Sequence, residues 1–259
     1  MAVKVIILRT AGTNCDQETA YAWELAGASP TLVHVRELIA KPAMLQEFGI
    51  LTIPGGFSYG DDISAGRILA VQMIHHLAEP LRRFVDAGRL VLGICNGFQV
   101  LVKAGLLPGE ADGGLGRQTV TLTGNDSARF EDRWVCLKST AAGNAFLPAN
   151  TLLEMPIAHA EGKLVAADDT MRARLSDDRH AALRYCDNHG SPGAYPINPN
   201  GSELDLAGVT NDAGRILGLM PHPERFVHAC QHPAAGQRSS EHADGRVLFD
   251  TAVRSAADA

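Results

Sequence analysis

Arg89-Leu90-Val91-Leu92-Gly93-Ile94-Cys95-Asn96-Gly97-Phe98-Gln99-Val100-Leu101 decides how the rest of the chain reads. An aliphatic run stops at Gly-Ile-Cys-Asn-Gly, and a second apolar pattern starts at once. The first part reads as a buried strand and the second as a helix start, with Cys95 on the turn between them. A nucleophile on a tight strand-to-helix turn flanked by glycines matches the nucleophile elbow, here with Cys in place of Ser. Gly93 and Gly97 leave out side chains where the turn forces neighbouring backbones together. The N-terminus of the following helix favours thiolate over thiol, which a nucleophilic Cys needs near neutral pH. A buried structural thiol at a strand end fits the same stretch, since free Cys is among the most buried residue types.

Working outward, strand and helix patterns alternate. Val3–Leu8 reads as a first buried strand, and Asn14 or Asp16 as the cap of a helix through Trp23 and Leu25. Leu32–Val35 is a second strand, followed by a helical stretch starting near Pro42. Phe48–Ile53 is a third strand, and Ile63–Ala87 carries two helical patterns broken near Pro80. This order predicts an α/β fold, a mostly parallel open sheet with helices on both faces, of the flavodoxin-like kind. After Gly105 the pattern changes to β-rich additions: Thr119–Thr123, Trp134–Leu137, Leu183–Tyr185, Leu206–Thr210 and Ile216–Met220, with a closing helix over 245–253. Pro192–Gly201 reads as an ordered loop. With no repeat or linker, residues 1–259 are expected to form a single domain.

Composition narrows the function classes. A formal net charge of −6 argues against a general nucleic-acid binder. No apolar run reaches the length of a membrane span, and Met1–Arg9 lacks the pattern of a signal peptide. Five widely spaced cysteines without a Cys-x-x-Cys pair suit reduced thiols in the cytoplasm and suggest neither disulfides nor a metal site.

A Cys nucleophile needs a base, an orienting acid and oxyanion donors. His75, His76, His228, His232 and His242 lie in polar contexts, but His222 follows a buried strand, framed by Pro221 and Pro223. Glu224, two residues on, is placed to accept from the second ring nitrogen and fix its tautomer. A rigid surface turn accounts for Pro-His-Pro-Glu equally well. The Pro54-Gly55-Gly56-Phe57 turn ends a neighbouring strand, and its backbone N–H groups, joined by that of Asn96, suit an oxyanion hole worth ~3 kcal/mol per donor. A phosphate loop is the other reading, but no Lys-Ser/Thr follows. Gln99, one helical turn after Cys95, is placed to shape the pocket or to bond local backbone. Cys15 and His159 are expected to be structural.

Gly93–Gln99 with Pro221–Arg225 resembles the triad-type (class I) glutamine amidotransferases. Gly12-Thr13-Asn14-Cys15-Asp16, Pro54–Asp61, Asn198-Pro199-Asn200-Gly201-Ser202 and Met220–Arg225 are similar to the glutaminase component of phosphoribosylformylglycinamidine synthase, in the same order. The resemblance implies that Cys95, His222 and Glu224 hydrolyse L-glutamine through a glutamyl thioester. It implies a partner synthetase subunit, carrying ATP and Mg, that takes the ammonia to convert formylglycinamide ribonucleotide to the amidine. It leaves room for a further small subunit and implies no cofactor or metal in this chain. Ile63-Ser64 departs from the family's Leu-Arg, and Arg67 stands where a small residue is common, which puts contacts there in doubt. The Asp112–Arg117 and Tyr195–Ser202 loops are candidates for docking the partner. A stand-alone α/β cysteine hydrolase of the peptidase or deglycase kind, or a non-catalytic regulatory subunit, are the alternatives.

Overall fold

Short aliphatic runs that bury both of their faces build the centre of the sheet. The computed structural model describes residues 2–109, 114–140, 144–237 and 243–258. The first half runs β1 (Lys4–Arg9), α1 (Asp16–Leu25), β2 (Ser29–His34), α2 (Val35–Ala40), β3 (Ile50–Ile53), α3 (Arg67–Asp86), β4 (Leu90–Ile94) and α4 (Asn96–Lys103). The second adds β5 (Val120–Thr123), β6 (Glu131–Ser139), β7 (Leu152–His159), β8 (Lys163–Ala166), α5 (Asp169–Ser176), β9 (Ala181–Cys186), β10 (Leu206–Thr210), β11 (Ile216–Leu219) and α6 (Asp244–Ala257).

The main sheet has the order β2-β1-β3-β4-β11-β10-β9-β6-β7, and β5 pairs with β8 in a separate ribbon. β2, β1, β3, β4 and β11 are mutually parallel. From β11 outward to β7 every pairing is antiparallel. Helices cover both faces of the parallel half. Trp23 of α1 donates from Nε1 to Thr52 Oγ1 at 3.1 Å, whereas the next residue on β3, Ile53, packs against Gly97 of α4. Trp23 also meets Phe249 of α6 edge-on at 4.9 Å, joining the two helices on that face. The fold is thus the expected α/β one, with β-rich additions in the later half. No helix among the described residues is long and apolar enough to cross a membrane.

Several boundaries differ from the sequence reading for physical reasons. Pro80 lies inside the unbroken α3. Its apolar stripe, Leu69, Ala70, Met73, Leu77, Leu81 and Phe84, is buried on both sides of the proline, so packing outweighs one lost helical hydrogen bond. Neither Asn14 nor Asp16 caps α1; Cys15 takes that position, its side chain making no capping bond to the helix, and Asp16 pairs with Arg9 at 3.0 Å. The stretch after β2 turns helical at Val35, before a separate 3-10 turn over Pro42–Glu47. β7, β8 and α5 were not foreseen. β7 contains Pro156, which reads against a strand, but β7 is an edge strand paired only with β6, where a missing N–H is tolerated. The Asp112–Arg117 loop lies partly outside the described residues, and His242 wholly so.

α4 packs tightly on β3 at Gly97, where a Cβ would stand 1.8 Å from Ile53 O. Gly97→Ala must push α4 off β3, and a loss of about 2–3 kcal/mol in unfolding free energy is expected in urea titration. A variant as stable as the parent would mean that the helix does not rest on the strand.

Candidate active site

Three parallel strands end side by side, and each delivers one part of the site. β3, β4 and β11 are held in register through Ile53↔Gly93 and Ile94↔Leu219. β4 passes directly into Cys95, whose backbone sits at φ 49 and ψ −104. A positive φ at a non-glycine residue costs ~1–3 kcal/mol and persists only where the surroundings impose it. Here the Cys95 N–H donates to Leu219 O at 2.8 Å, and α4 begins at the next residue. The thiol is nearly covered, at 6% exposure, with Sγ 3.7 Å from Ala158 O of β7.

β11 passes through Met220 and Pro221 into His222. The His222 N–H donates to Pro156 O at 2.8 Å, so this residue is anchored to β7 as well. A 3-10 turn over Pro223–Arg225 brings Glu224 back under the ring, with Oε1 2.6 Å from Nδ1. Both side chains are buried. The carboxylate accepts from Nδ1–H, which directs Nε2 away from Glu224. Burial works to lower the basicity of His222, but the charges of Glu224 and Cys95 and contact with Cys15 prevail, raising its pKa well above the ordinary histidine value. His222 Nε2 and Glu224 Oε2 are buried without a hydrogen-bond partner.

β3 leads into the Pro54–Phe57 turn. Gly56 adopts φ 137, and a Cβ there would fall 2.8 Å from both Asn14 N and Gly12 O, so only glycine fits. The expectation for Phe57 is corrected: its N–H donates to Gly12 O at 2.9 Å and is not available to an oxyanion. The Asn96 N–H, first in α4, has no intrahelical acceptor. The Asn96 side chain staples the turn to the helix. Its Oδ1 accepts from Ser58 N at 3.1 Å, and its Nδ2 donates to Asp61 Oδ1 at 3.1 Å and to Gln99 Oε1 at 3.0 Å. Gln99 Nε2 donates in turn to Glu161 O at 2.7 Å, so Gln99 ties α4 to the loop after β7.

Sequence reasoning underrated Cys15. Its sulfur packs beside the His222 ring: a Cβ on Gly55 would meet Cys15 Sγ at 3.1 Å and His222 Cε1 at 2.9 Å, which explains the glycine. Arg225 Nη2 donates to Cys15 Sγ at 3.2 Å while its Nε holds Glu18 at 3.0 Å. Burial pushes the Cys15 thiol up, consistent with a neutral S–H donating to Asn14 Oδ1 at 3.2 Å. Cys15, His222 and Glu224 each bring one ligand atom within 4.8 Å of the others, as a metal seat would. The Arg225 guanidinium against the sulfur opposes a cation there. His159 is buried and lies in the field of His222. His232 is also buried, its ring 4.4 Å from that of Trp134 and its Nε2 3.1 Å from Glu154 Oε1. The arrangement as a whole suits a thiol nucleophile, a charged imidazole and backbone N–H donors acting on one carbonyl.

Residues 2–255 match the model of the CobB/CobQ-like glutamine amidotransferase domain. The chain is 46% identical over 255 residues to phosphoribosylformylglycinamidine synthase subunit PurQ of Dehalococcoides mccartyi, with 97% of each chain covered. The corresponding subunit of Methanococcus maripaludis strain C7 is 38% identical over 234 residues, covering 89% of this chain and 85% of that one. Among solved structures, PurLQS from Thermotoga maritima superposes with a TM-score of 0.73 at 29% identity, covering 98% of this chain and 99% of that one. The chain belongs to the CobB/CobQ-like glutamine amidotransferase family, among the PurQ subunits of phosphoribosylformylglycinamidine synthase.

Proposed function

We propose that the chain is the glutaminase subunit of phosphoribosylformylglycinamidine synthase in purine biosynthesis and that Cys95, His222 and Glu224 carry its chemistry. The observation that carries the reading of the site is a strained, elbow-held Cys95 at the end of β4 beside a buried His222–Glu224 pair at 2.6 Å. The Cys95 thiolate attacks the side-chain carboxamide carbon of L-glutamine. A carbon–sulfur bond forms and the carbonyl electrons move to oxygen, which the Gly56 and Asn96 N–H groups receive. His222, charged and held by Glu224, gives its proton to the nitrogen as the carbon–nitrogen bond breaks, releasing ammonia. Neutral His222 then takes a proton from water, which attacks the γ-glutamyl thioester, and glutamate leaves as Cys95 is restored.

The partner is the synthetase subunit, and a further small subunit belongs to the assembly, as the name of the PurLQS structure supports. ATP and Mg belong to the synthetase, which converts formylglycinamide ribonucleotide to the amidine with the ammonia, in the cytoplasm. Within this chain the Gln99–Glu161 bond and the Asn96 staple shape the glutamine pocket, and Gly55 makes room for the base.

Replacing Cys95 by Ser in the reconstituted complex is expected to reduce glutamine-dependent turnover by several orders of magnitude, while synthesis from added ammonium persists. Glutamine turnover close to that of the parent would remove Cys95 from the reaction. The pair also predicts a pH dependence of stability. His222 has a raised pKa in the folded chain, so its contribution is complete below the unfolded value, near pH 6.5, and disappears as pH rises through the folded value. In Glu224→Gln, burial acts on the imidazole with less opposition and the contribution shrinks. The gap in unfolding free energy between parent and Glu224→Gln should therefore be wider at about pH 6 than at about pH 9.5. A gap independent of pH in urea titrations would mean that the imidazole is not charged in the folded protein.

A further inference from the structure

β7 brings more to the site than backbone. Pro156 O and Ala158 O face His222 N and Cys95 Sγ, and the next residue is His159, 3% exposed. Its Nδ1 lies 3.1 Å from Asn125 Oδ1. The orientation of that amide is fixed by its other contacts. Asn125 Nδ2 donates to Arg129 O and to His159 O, each at 2.9 Å, and Oδ1 also accepts from Gly162 N at 3.1 Å. An amide oxygen only accepts, so the ring proton of His159 sits on Nδ1 and Nε2 is a bare lone pair. The ring lies against the Gly162 backbone, where a Cβ would stand 2.2 Å from Cε1 and 2.7 Å from Nε2. It cannot swing away without breaking the Asn125 contacts. Nε2 is buried without a hydrogen-bond partner. Burial first, and the charge on His222 second, hold the His159 pKa down to about 3, so the ring stays neutral at working pH. The result is a neutral ring with a bare acceptor nitrogen, one residue beyond the β7 carbonyl that faces Cys95 Sγ.

We infer that His159 Nε2 accepts a hydrogen bond from the carboxamide N–H of bound glutamine and so separates this substrate from the glutamate product. The inference rests on the reading of Cys95 and His222 given above. A carboxamide offers two N–H donors beside its oxygen, whereas the ionised γ-carboxylate of glutamate offers lone pairs alone. At the position of the amide nitrogen, glutamate would set a charged oxygen against the Nε2 lone pair. Leaving a buried acceptor opposed in this way costs a factor on the order of 10 to 100 in affinity. His159 is therefore a specificity residue: it favours entry of the amide and disfavours retention of the acid.

The test uses the reconstituted complex carrying Cys95→Ala, so that glutamine is not consumed, and measures binding of L-glutamine and L-glutamate by calorimetry. Adding His159→Phe should weaken glutamine about tenfold while glutamate binds as before or more tightly, collapsing the preference between them. His159→Gln, which keeps polarity and supplies a donor, should bind glutamate more tightly; it carries the test if the Phe variant does not assemble. Equal weakening of both ligands would indicate only structural support and would overturn the inference, as would an unchanged preference. Failure of the Cys95→Ala parent to bind glutamine would instead reject the reading of the whole site, and this inference with it.

Discussion

The site depends on a backbone that would not adopt its shape if left alone. Cys95 occupies φ 49 and ψ −104 because its own N–H and the first turn of α4 are both fixed from outside. Its N–H is held by Leu219 O of β11, and two residues later Gly97 meets Ile53 O of β3 with no room for a side chain. The strain is therefore held by the two parallel strands that flank β4. Their parallel direction matters, because it places the ends of β3, β4 and β11 in one row. The Pro54–Phe57 turn, Cys95 and His222, proposed as oxyanion site, nucleophile and base, follow successive strand ends on that row, which is where open α/β sheets carry their sites.

The antiparallel half closes the site from the other side. β7 is at the far edge of the sheet order, yet its carbonyls reach both Cys95 and His222. The loop after β7 is held by fully buried Asn200, whose Nδ2 donates to Gly162 O at 2.9 Å and to Tyr185 Oη at 3.2 Å. Ser202 adds its hydroxyl to the same carbonyl. A buried amide without partners is costly, so the Asn198–Ser202 loop and the Ala160–Gly162 loop are fixed as one unit. Gln99 connects that unit back to the helix that starts directly after Cys95.

What was legible in the sequence follows from which constraints are local. The elbow is a contiguous pattern, since strand, turn and helix lie within thirteen residues, and its reading carried the parallel half of the fold. The pairing of His222 with Glu224 was legible for the same reason, because the two residues are two positions apart. β7 was not, because only its place at the sheet edge makes Pro156 acceptable there. The unbroken α3 was hidden likewise: the buried stripe that outweighs Pro80 belongs to packing against other elements. Phe57 looked like an oxyanion donor until the Gly12 carbonyl, forty-five positions earlier, was seen to use its N–H. Cys15 and His159 gain their significance from His222, which is distant in the chain from both.

Burial of His222 and Glu224 sets the order of proton transfers in the proposed mechanism. The Glu224 side chain has no exposure, that of His222 only 3%, and one carboxylate oxygen lacks a partner. An isolated carboxylate is not tolerated there, and a neutral imidazole would leave its charge uncompensated. The pair is stable when His222 is protonated, which agrees with its raised pKa. In the proposed mechanism the imidazole therefore meets the substrate as an acid, and its first proton goes to the leaving nitrogen. Only after ammonia departs is it neutral and able to take a proton from water. The same buried carboxylate that strengthens His222 as a proton carrier makes its neutral form unfavourable, which draws a proton from water onto the ring and restores the charged state.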